Sequence, residues 1–175
     1  MSTDRATGAG IVVVALGNRL RGDDAIGAAV LERLAPRAPP TVRLDASAGD
    51  PLSLLGAFED SRALFVVDAV RSGAAAGSVR RLDLAACAPP PALARASSHG
   101  PGLAAAIALG RQLGTLPPVL VCYAVEAARF EHGAPLSPQV AAAVEPVVER
   151  LLAEIAALAA AVPDALSAGG ARRAG

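Results

Sequence analysis

Residues 14–30, VALGNRLRGDDAIGAAV, begin as a buried strand and end as an amphipathic helix, with two adjacent acids in the turn between them. Glycine-rich turns of this kind usually face an anionic phosphate, which the partial positive charge of the helix N-terminus attracts. Asp23 and Asp24 would repel such a ligand. The spacing of the glycines fits neither G-x-G-x-x-G nor G-x-x-x-x-G-K-[ST]. The turn therefore predicts a cation site rather than a phosphate site.

Strands alternate with helices on both sides of this turn. Apolar or alternating runs predict strands at 10–16, 41–46, 63–70, 77–84 and 118–125. Helical patterns and their capping residues predict helices at 25–34, 50–59, 102–114 and 137–162. The predicted fold is an α/β three-layer sandwich, a mostly parallel twisted sheet of about five strands with helices on both faces. We place the strand at 77–84 at the sheet edge.

Composition narrows the class of protein. With 53% hydrophobic and 18% charged residues, the 175-residue chain predicts a single soluble α/β domain over 1–162 and a disordered tail over 163–175. Sixteen arginines balance sixteen acids and no lysine occurs, which argues against nucleic-acid or membrane binding and excludes lysine-based catalysis. We expect a cytoplasmic protein that is a monomer, because no secretion signal and no heptad seam are visible.

Chemistry-bearing side chains follow several of the predicted strands. Asp23 and Asp24 follow the first strand, Asp45 ends the second, Asp68 ends the third, and His99 lies before the third main helix. The carboxyl ends of parallel strands meet at one edge of the sheet, where ligands bind. Carboxylates and an imidazole suit a divalent transition metal.

Each acid alone also has a structural explanation. Asp23 is well placed as an N-cap, and Asp24 would complement the helix dipole in the first turn. Asp68 could satisfy backbone amides in its loop, and Asp45 could form a turn with Ser47.

The histidines and cysteines leave alternatives open as well. His99 could be a solvent-exposed residue at a helix start, and His132 is the alternative ligand. Cys87 and Cys122 form no metal or disulfide pattern. The sequence around Cys87 predicts a loop, and the sequence around Cys122 predicts a buried core strand. We therefore expect neither cysteine to be a covalent nucleophile.

Four segments in order resemble one known family. The string GNRLRGDDAIG is similar to the GNxLxxDDGxG signature of the hydrogenase maturation proteases, which trim nickel–iron hydrogenase large subunits. The family's third-strand, histidine and C-terminal segments are matched in turn by LFVVDAVRSG, SSHGPGL and VEAARFEHGAPLSPQVAAAVEPVVERLL. Together these segments cover residues 11–155.

The resemblance implies an activity and a set of site residues. The family's metal-binding positions correspond to Asp24, Asp68 and His99, which we also expect to be catalytic, with Asp45 as a further candidate. The implied substrate is a large-subunit precursor that loses its C-terminal extension after nickel insertion. The implied metal is nickel supplied by that precursor, with no organic cofactor. Hydrolysis could use a metal-polarised water or carbonyl, or an aspartate as general base.

One segment departs from the family pattern. Where an aspartate is usually followed by two glycines and a threonine, this chain reads DASAGD over 45–50. Ala46 lacks the freedom of glycine to adopt a positive φ, so the chain near Asp45 could run differently. This departure supports one alternative, a non-cleaving nickel carrier or checkpoint protein of the same fold. For the glycine-rich turn at 17–27, the alternative from another class is a nucleotide-binding α/β module.

Overall fold

A computed structural model describes residues 10–86 and 102–161. The strands in this part of the chain are β1 (Gly10–Leu16), β2 (Val42–Ser47), β3 (Ser61–Val70), β4 (Val79–Asp83) and β5 (Val119–Glu126). The α-helices there are α1 (Ile26–Leu34), α2 (Pro51–Glu59), α3 (Gly102–Leu113) and α4 (Pro138–Ala160). A 3-10 turn, Gly22–Ala25, precedes α1. These elements confirm the predicted strands and helices.

The strand order explains where a site can form. The sheet runs β2-β1-β3-β5-β4, with β1 parallel to both β2 and β3, and β3 parallel to β5. β4 pairs antiparallel with β5 at one edge, as a half-exposed edge strand should. β2 is added on one side of β1, and β3 is added on the other side. The order in which strands are added to the sheet therefore reverses, and the switch point lies between β1 and β3. In open α/β sheets the ligand crevice lies at such a switch point, outside the carboxyl ends of the strands.

Helices cover both faces of the sheet, so the three-layer prediction is confirmed. On one face α1 and α4 pack together over β1, β3 and β5. On the other face α2 and α3 pack over the same strands. The apolar side chains that fill these layers are wholly or nearly wholly buried; they include Ile26, Val30, Phe65 and Val147 on the first face and Leu54, Phe58, Leu64 and Ile107 on the second.

The local sequence explains how α2 begins. The Asp50 carboxylate accepts hydrogen bonds from the backbone N–H groups of Leu52 (3.3 Å) and Ser53 (2.8 Å), which have no partner within the helix. Pro51 occupies the first helical position, where a missing N–H costs nothing. The end of the DASAGD segment is therefore a helix cap.

Several expectations concern parts of the chain that are not described. Cys87, His99 and the predicted tail at 163–175 lie outside the described residues, and the single domain over 1–162 stays a prediction. Within residues 10–86 and 102–161, no helix combines the length and the apolar character needed to cross a membrane.

Candidate active site

Asp24 is held at the end of β1 by a tight turn. Gly17 follows β1 with φ 135°, and a Cβ there would lie 2.0 Å from the backbone oxygen of Asp24, so only glycine fits. The backbone N–H of Asn18 donates to Asp24 Oδ2 at 3.1 Å. The Asp24 side chain is fully buried. The turn thus folds back on itself and places a carboxylate beside the carboxyl end of β1.

Asp68 lies on the neighbouring strand at the same edge. It comes directly after Val67, whose pairing with Ala15 is the last of the β1–β3 register, and it faces Ala124 across the β3–β5 ladder. The strand continues two residues beyond it, to Val70, so Asp68 lies near the end of β3 rather than at it. Its side chain is also fully buried.

The 3-10 turn that carries Asp24 packs against β3. The structure therefore brings the turn with Asp24 and the strand with Asp68 together at the switch point of the sheet. A buried carboxylate is costly unless hydrogen bonds or a cation compensate for its lost hydration, so two at one edge form a strong candidate site.

Asp23 has a different role from its neighbour. Its Oδ2 accepts hydrogen bonds from the backbone N–H groups of Ala128 (2.8 Å) and Arg129 (3.0 Å), and its Oδ1 accepts one from the N–H of Ser137 (2.6 Å). The Ser137 hydroxyl also donates to Asp23 Oδ2 at 3.0 Å. Burial opposes ionisation, but these hydrogen bonds outweigh it and lower the pKa of the Asp23 carboxyl.

The N-cap interpretation of Asp23 is therefore wrong. Ala25 precedes α1 as its N-cap residue without a side-chain hydrogen bond, and Asp23 instead ties the turn after β1 to the segment between β5 and α4. Ser137 does begin α4 as predicted, but its hydroxyl bonds to Asp23 rather than capping the helix. A distant partner satisfies Asp23, and helix-start patterns contain no information about such a partner.

Glu126 is a buried acid that no motif in the sequence singles out. It ends β5, and its carboxylate accepts hydrogen bonds from the N–H groups of Ser72 and Gly73, both at 2.8 Å, and from the Ser72 hydroxyl at 2.7 Å. These bonds hold the chain that leaves β3 just after Asp68. The sequence does contain one signal for Glu126. It is an acid at the end of an apolar strand, and Asp68 has a similar position in β3.

Arginine side chains lie around the same end of the sheet. The guanidinium carbons of Arg21 and Arg71 lie 5.7 and 4.9 Å from the ring centroid of Phe130. Such contacts join the loops after β1, β3 and β5 through cation–π attraction. The loops that surround the two buried carboxylates are thus linked to one another.

Asp45 is placed apart from the buried pair. It lies within β2 opposite Val14, because the strand continues to Ser47, and β1 separates it from β3. Its side chain is 42% exposed and forms an ion pair with Arg43, 2.8 Å from Nε to Oδ2. Ser47 Oγ accepts a hydrogen bond from the N–H of Gly49 at 3.1 Å, so a short turn follows the strand. The catalytic role of Asp45 stays a prediction.

The histidines are not part of the described site. His132 is exposed in the loop between β5 and α4, and His99 lies outside the described residues. The described part of α3 begins at Gly102, where a Cβ would lie 2.1 Å from the carbonyl oxygen of Gly49, beyond the carboxyl end of β2. Within residues 10–86 and 102–161, no group of three or more His, Cys, Asp or Glu side chains could hold a metal ion.

A comparison with protein-family models identifies the chain. The model described as hydrogenase maturation protease (HycI) matches residues 30–154, well over half of the sequence. The chain belongs to the hydrogenase maturation protease family. The GNRLRGDDAIG segment precedes the matched range, so its assignment to the family pattern is independent of this match.

Solved structures of this family agree with that assignment. The hydrogenase maturating endopeptidase HybD from E. coli is 29% identical with a TM-score of 0.74, over 86% of this chain and 94% of that chain. A second E. coli endopeptidase structure is 28% identical with a TM-score of 0.72, over the same shares. The hydrogenase maturation protease HycI from Thermococcus kodakarensis KOD1 is 26% identical with a TM-score of 0.63, over 83% and 91%. A search of curated proteins gave no match. The chain is thus a peptidase of the hydrogenase maturation type.

Cys122 allows a test of whether this maturation protease uses a thiol. The side chain is fully buried, and burial, followed by the nearby Asp68 carboxylate, raises the pKa of its thiol well above the usual range. A neutral, buried thiol is a poor nucleophile. We expect a Cys87→Ser variant treated with iodoacetamide to keep its full processing rate, with no mass increase until the protein is denatured. Loss of activity in step with modification of Cys122 would contradict this.

Proposed function

We propose that this protease removes the C-terminal extension of a nickel–iron hydrogenase large-subunit precursor after nickel insertion. The observation that carries the proposal is the pair of buried carboxylates, Asp24 and Asp68, at the switch point of the sheet in a chain of this family. We further expect the protein to act in the cytoplasm as a monomer, on the precursor alone.

Asp24, Asp68 and His99 would recognise the nickel that the precursor already holds. Two carboxylates and an imidazole match the ligand preferences of a divalent transition metal. His99 precedes Gly102 by three residues, and Gly102 packs against Gly49 at the carboxyl edge of the sheet. Three extended residues span at most about 11 Å, so this separation along the sequence is compatible with a His99 ligand at that edge.

Recognition of nickel would also position the scissile peptide. When a metal on the substrate docks against fixed carboxylates, the amide to be cut is held in one place, and orientation of this kind lowers the barrier to hydrolysis. Water adds to the carbonyl carbon, the C–N bond breaks, and the new amine takes up a proton. A precursor without nickel lacks the group that anchors it. Cleavage would therefore take place only after nickel insertion is complete.

The mass of the precursor tests this activity. We expect incubation with the protease to convert a nickel-loaded precursor into one shortened subunit and one released C-terminal peptide, both visible by intact-mass analysis. The peptide identifies the bond that is cut. A complex that forms without any change in mass would instead show a non-cleaving nickel carrier and would contradict the proposal.

A further inference from the structure

The outer edge of β2 carries backbone groups that point away from the sheet. Along an extended strand, the N–H and C=O of one residue point to the same side, and successive residues alternate. The Ser47 carbonyl accepts from the N–H of Gly17 at 3.3 Å, so Ser47 faces β1. The N–H of Val42 donates to the Pro39 carbonyl at 2.9 Å, on the outer side. By this alternation, Leu44 and Ala46 also direct both groups outward.

These outward groups lie at the edge of the sheet formed by the described residues. β2 is an edge strand, and β1 is its neighbour in the sheet. In the part of the chain that the structure describes, β1 is the only strand that pairs with β2. Proteins usually cover or interrupt such an edge, because it is a template for another extended chain. An edge strand of this kind is suited to binding an extended peptide by strand addition.

A pocket lies under the same stretch of β2. It has a volume of about 300 Å³ and lies between the strands and α2, lined by Val14, Asp45, Ser47, Ser53, Leu54 and Ala57. Side chains of a paired strand alternate between the two faces of the sheet. Every second residue of a peptide added to β2 would therefore face the side on which this pocket opens.

We propose that the C-terminal extension of the precursor binds to Leu44 and Ala46 as an added antiparallel strand. This inference rests on the proposed function, because it takes the scissile bond to lie beside Asp24 and Asp68. β2 runs towards that edge of the sheet, whereas the extension starts at the scissile bond and leads away from it. The extension must therefore run opposite to β2.

The distance between the scissile bond and the outer edge of β2 determines which part of the extension pairs with β2. β1 and the added strand are separated by two strand spacings, roughly 10 Å, or about three extended residues. Pairing with Ala46 therefore starts about four residues after the scissile bond, and pairing with Leu44 follows two residues later. In an antiparallel pair of this register, each of these peptide residues exchanges two hydrogen bonds with β2.

Proline at position 46 tests the edge directly. Ala46→Pro removes one outward N–H, and proline is tolerated at such positions of edge strands. Ala46→Thr is the matched control, because it keeps the N–H and favours a strand. We expect kcat/KM of Ala46→Pro for the nickel-loaded precursor to be about fivefold or more below that of Ala46→Thr, mainly through KM. Equal kcat/KM for both variants would overturn the proposal.

An N-methyl scan gives a second test that needs no variant of the enzyme. Synthetic extension peptides with one N-methylated residue each are measured for binding to the wild-type protease by fluorescence anisotropy. We expect weaker binding at every second position only, because alternate N–H groups point to β2. A flat profile would overturn the proposal even if Ala46→Pro does not fold. A dimer that Ala46→Pro abolishes would assign the edge to a second copy and would also overturn it.

These readouts separate the inference from the proposed function. If the wild-type protein binds the extension peptide with the alternating profile but cuts no precursor, the strand addition holds and the proposed activity fails. If it cuts the precursor while the scan is flat, the activity holds and the strand addition fails.

Discussion

Asp68→Asn is expected to slow cleavage of a nickel-loaded precursor by about a thousandfold or more, a loss of about 4 kcal/mol in transition-state stabilisation. Asparagine has nearly the same shape but removes the negative charge with which Asp68 would bind the nickel of the substrate. Asp24→Asn should give a loss of the same order. The backbone N–H of Asn18 can still donate to the amide oxygen at position 24, so that variant keeps its turn.

The rate of peptide release, measured on folded variants, checks this prediction. Asp60→Asn is the matched control, because the Asp60 side chain is 66% exposed and its only described ion pair, with Arg43, is a surface contact of 3.3 Å. It makes the same change of charge away from the site and should leave the rate unchanged. A rate for Asp68→Asn within a factor of about ten of the wild-type rate would show that Asp68 has no catalytic role.

Asp23→Asn is expected to cost stability instead, about 3 kcal/mol or more in the free energy of unfolding. The carboxylate accepts three backbone N–H bonds and one hydroxyl bond at a fully buried position. An amide nitrogen in place of one oxygen turns a donor towards these donors, so at least one of them loses its acceptor. Each unsatisfied buried donor costs about 1–3 kcal/mol.

Urea denaturation at several pH values measures this effect. Because the folded-state pKa of Asp23 is lowered, its contribution to stability is fully present above the unfolded pKa and is lost as the pH falls through the folded value. The wild-type and Asp23→Asn stabilities should therefore differ near neutral pH and converge below about pH 4. Asp60→Asn should change stability by less than about 0.5 kcal/mol. A constant difference across the whole pH range would contradict the role of the Asp23 charge.

Much of the fold can be predicted from local patterns. The uninterrupted apolar runs of β1, β3 and β5 indicate strands buried on both faces, and helical periodicity between them indicates a parallel sheet. Local patterns also place Asp24 and Asp68 at one edge of the sheet, since the carboxyl ends of parallel strands meet at the same edge. The positions of these two acids therefore follow from elementary topology.

The different roles of the two adjacent acids cannot be predicted in this way. Asp23 and Asp24 are identical in type and in local environment along the chain. They differ because Asp23 meets Ala128, Arg129 and Ser137, more than a hundred residues away. Such partners depend on how β5 and α4 pack against the turn. The buried role of Glu126 depends in the same way on the loop after β3.

The nickel dependence of cleavage shows whether the protease recognises its substrate through nickel. One large-subunit precursor is prepared with and without nickel, and the initial rate of peptide release by the wild-type protease is measured for both. We expect the nickel-free precursor to be cut at least about a hundredfold more slowly, because Asp24 and Asp68 would have no metal to bind. Equal rates for the two precursors would show that the buried carboxylates do not act through nickel.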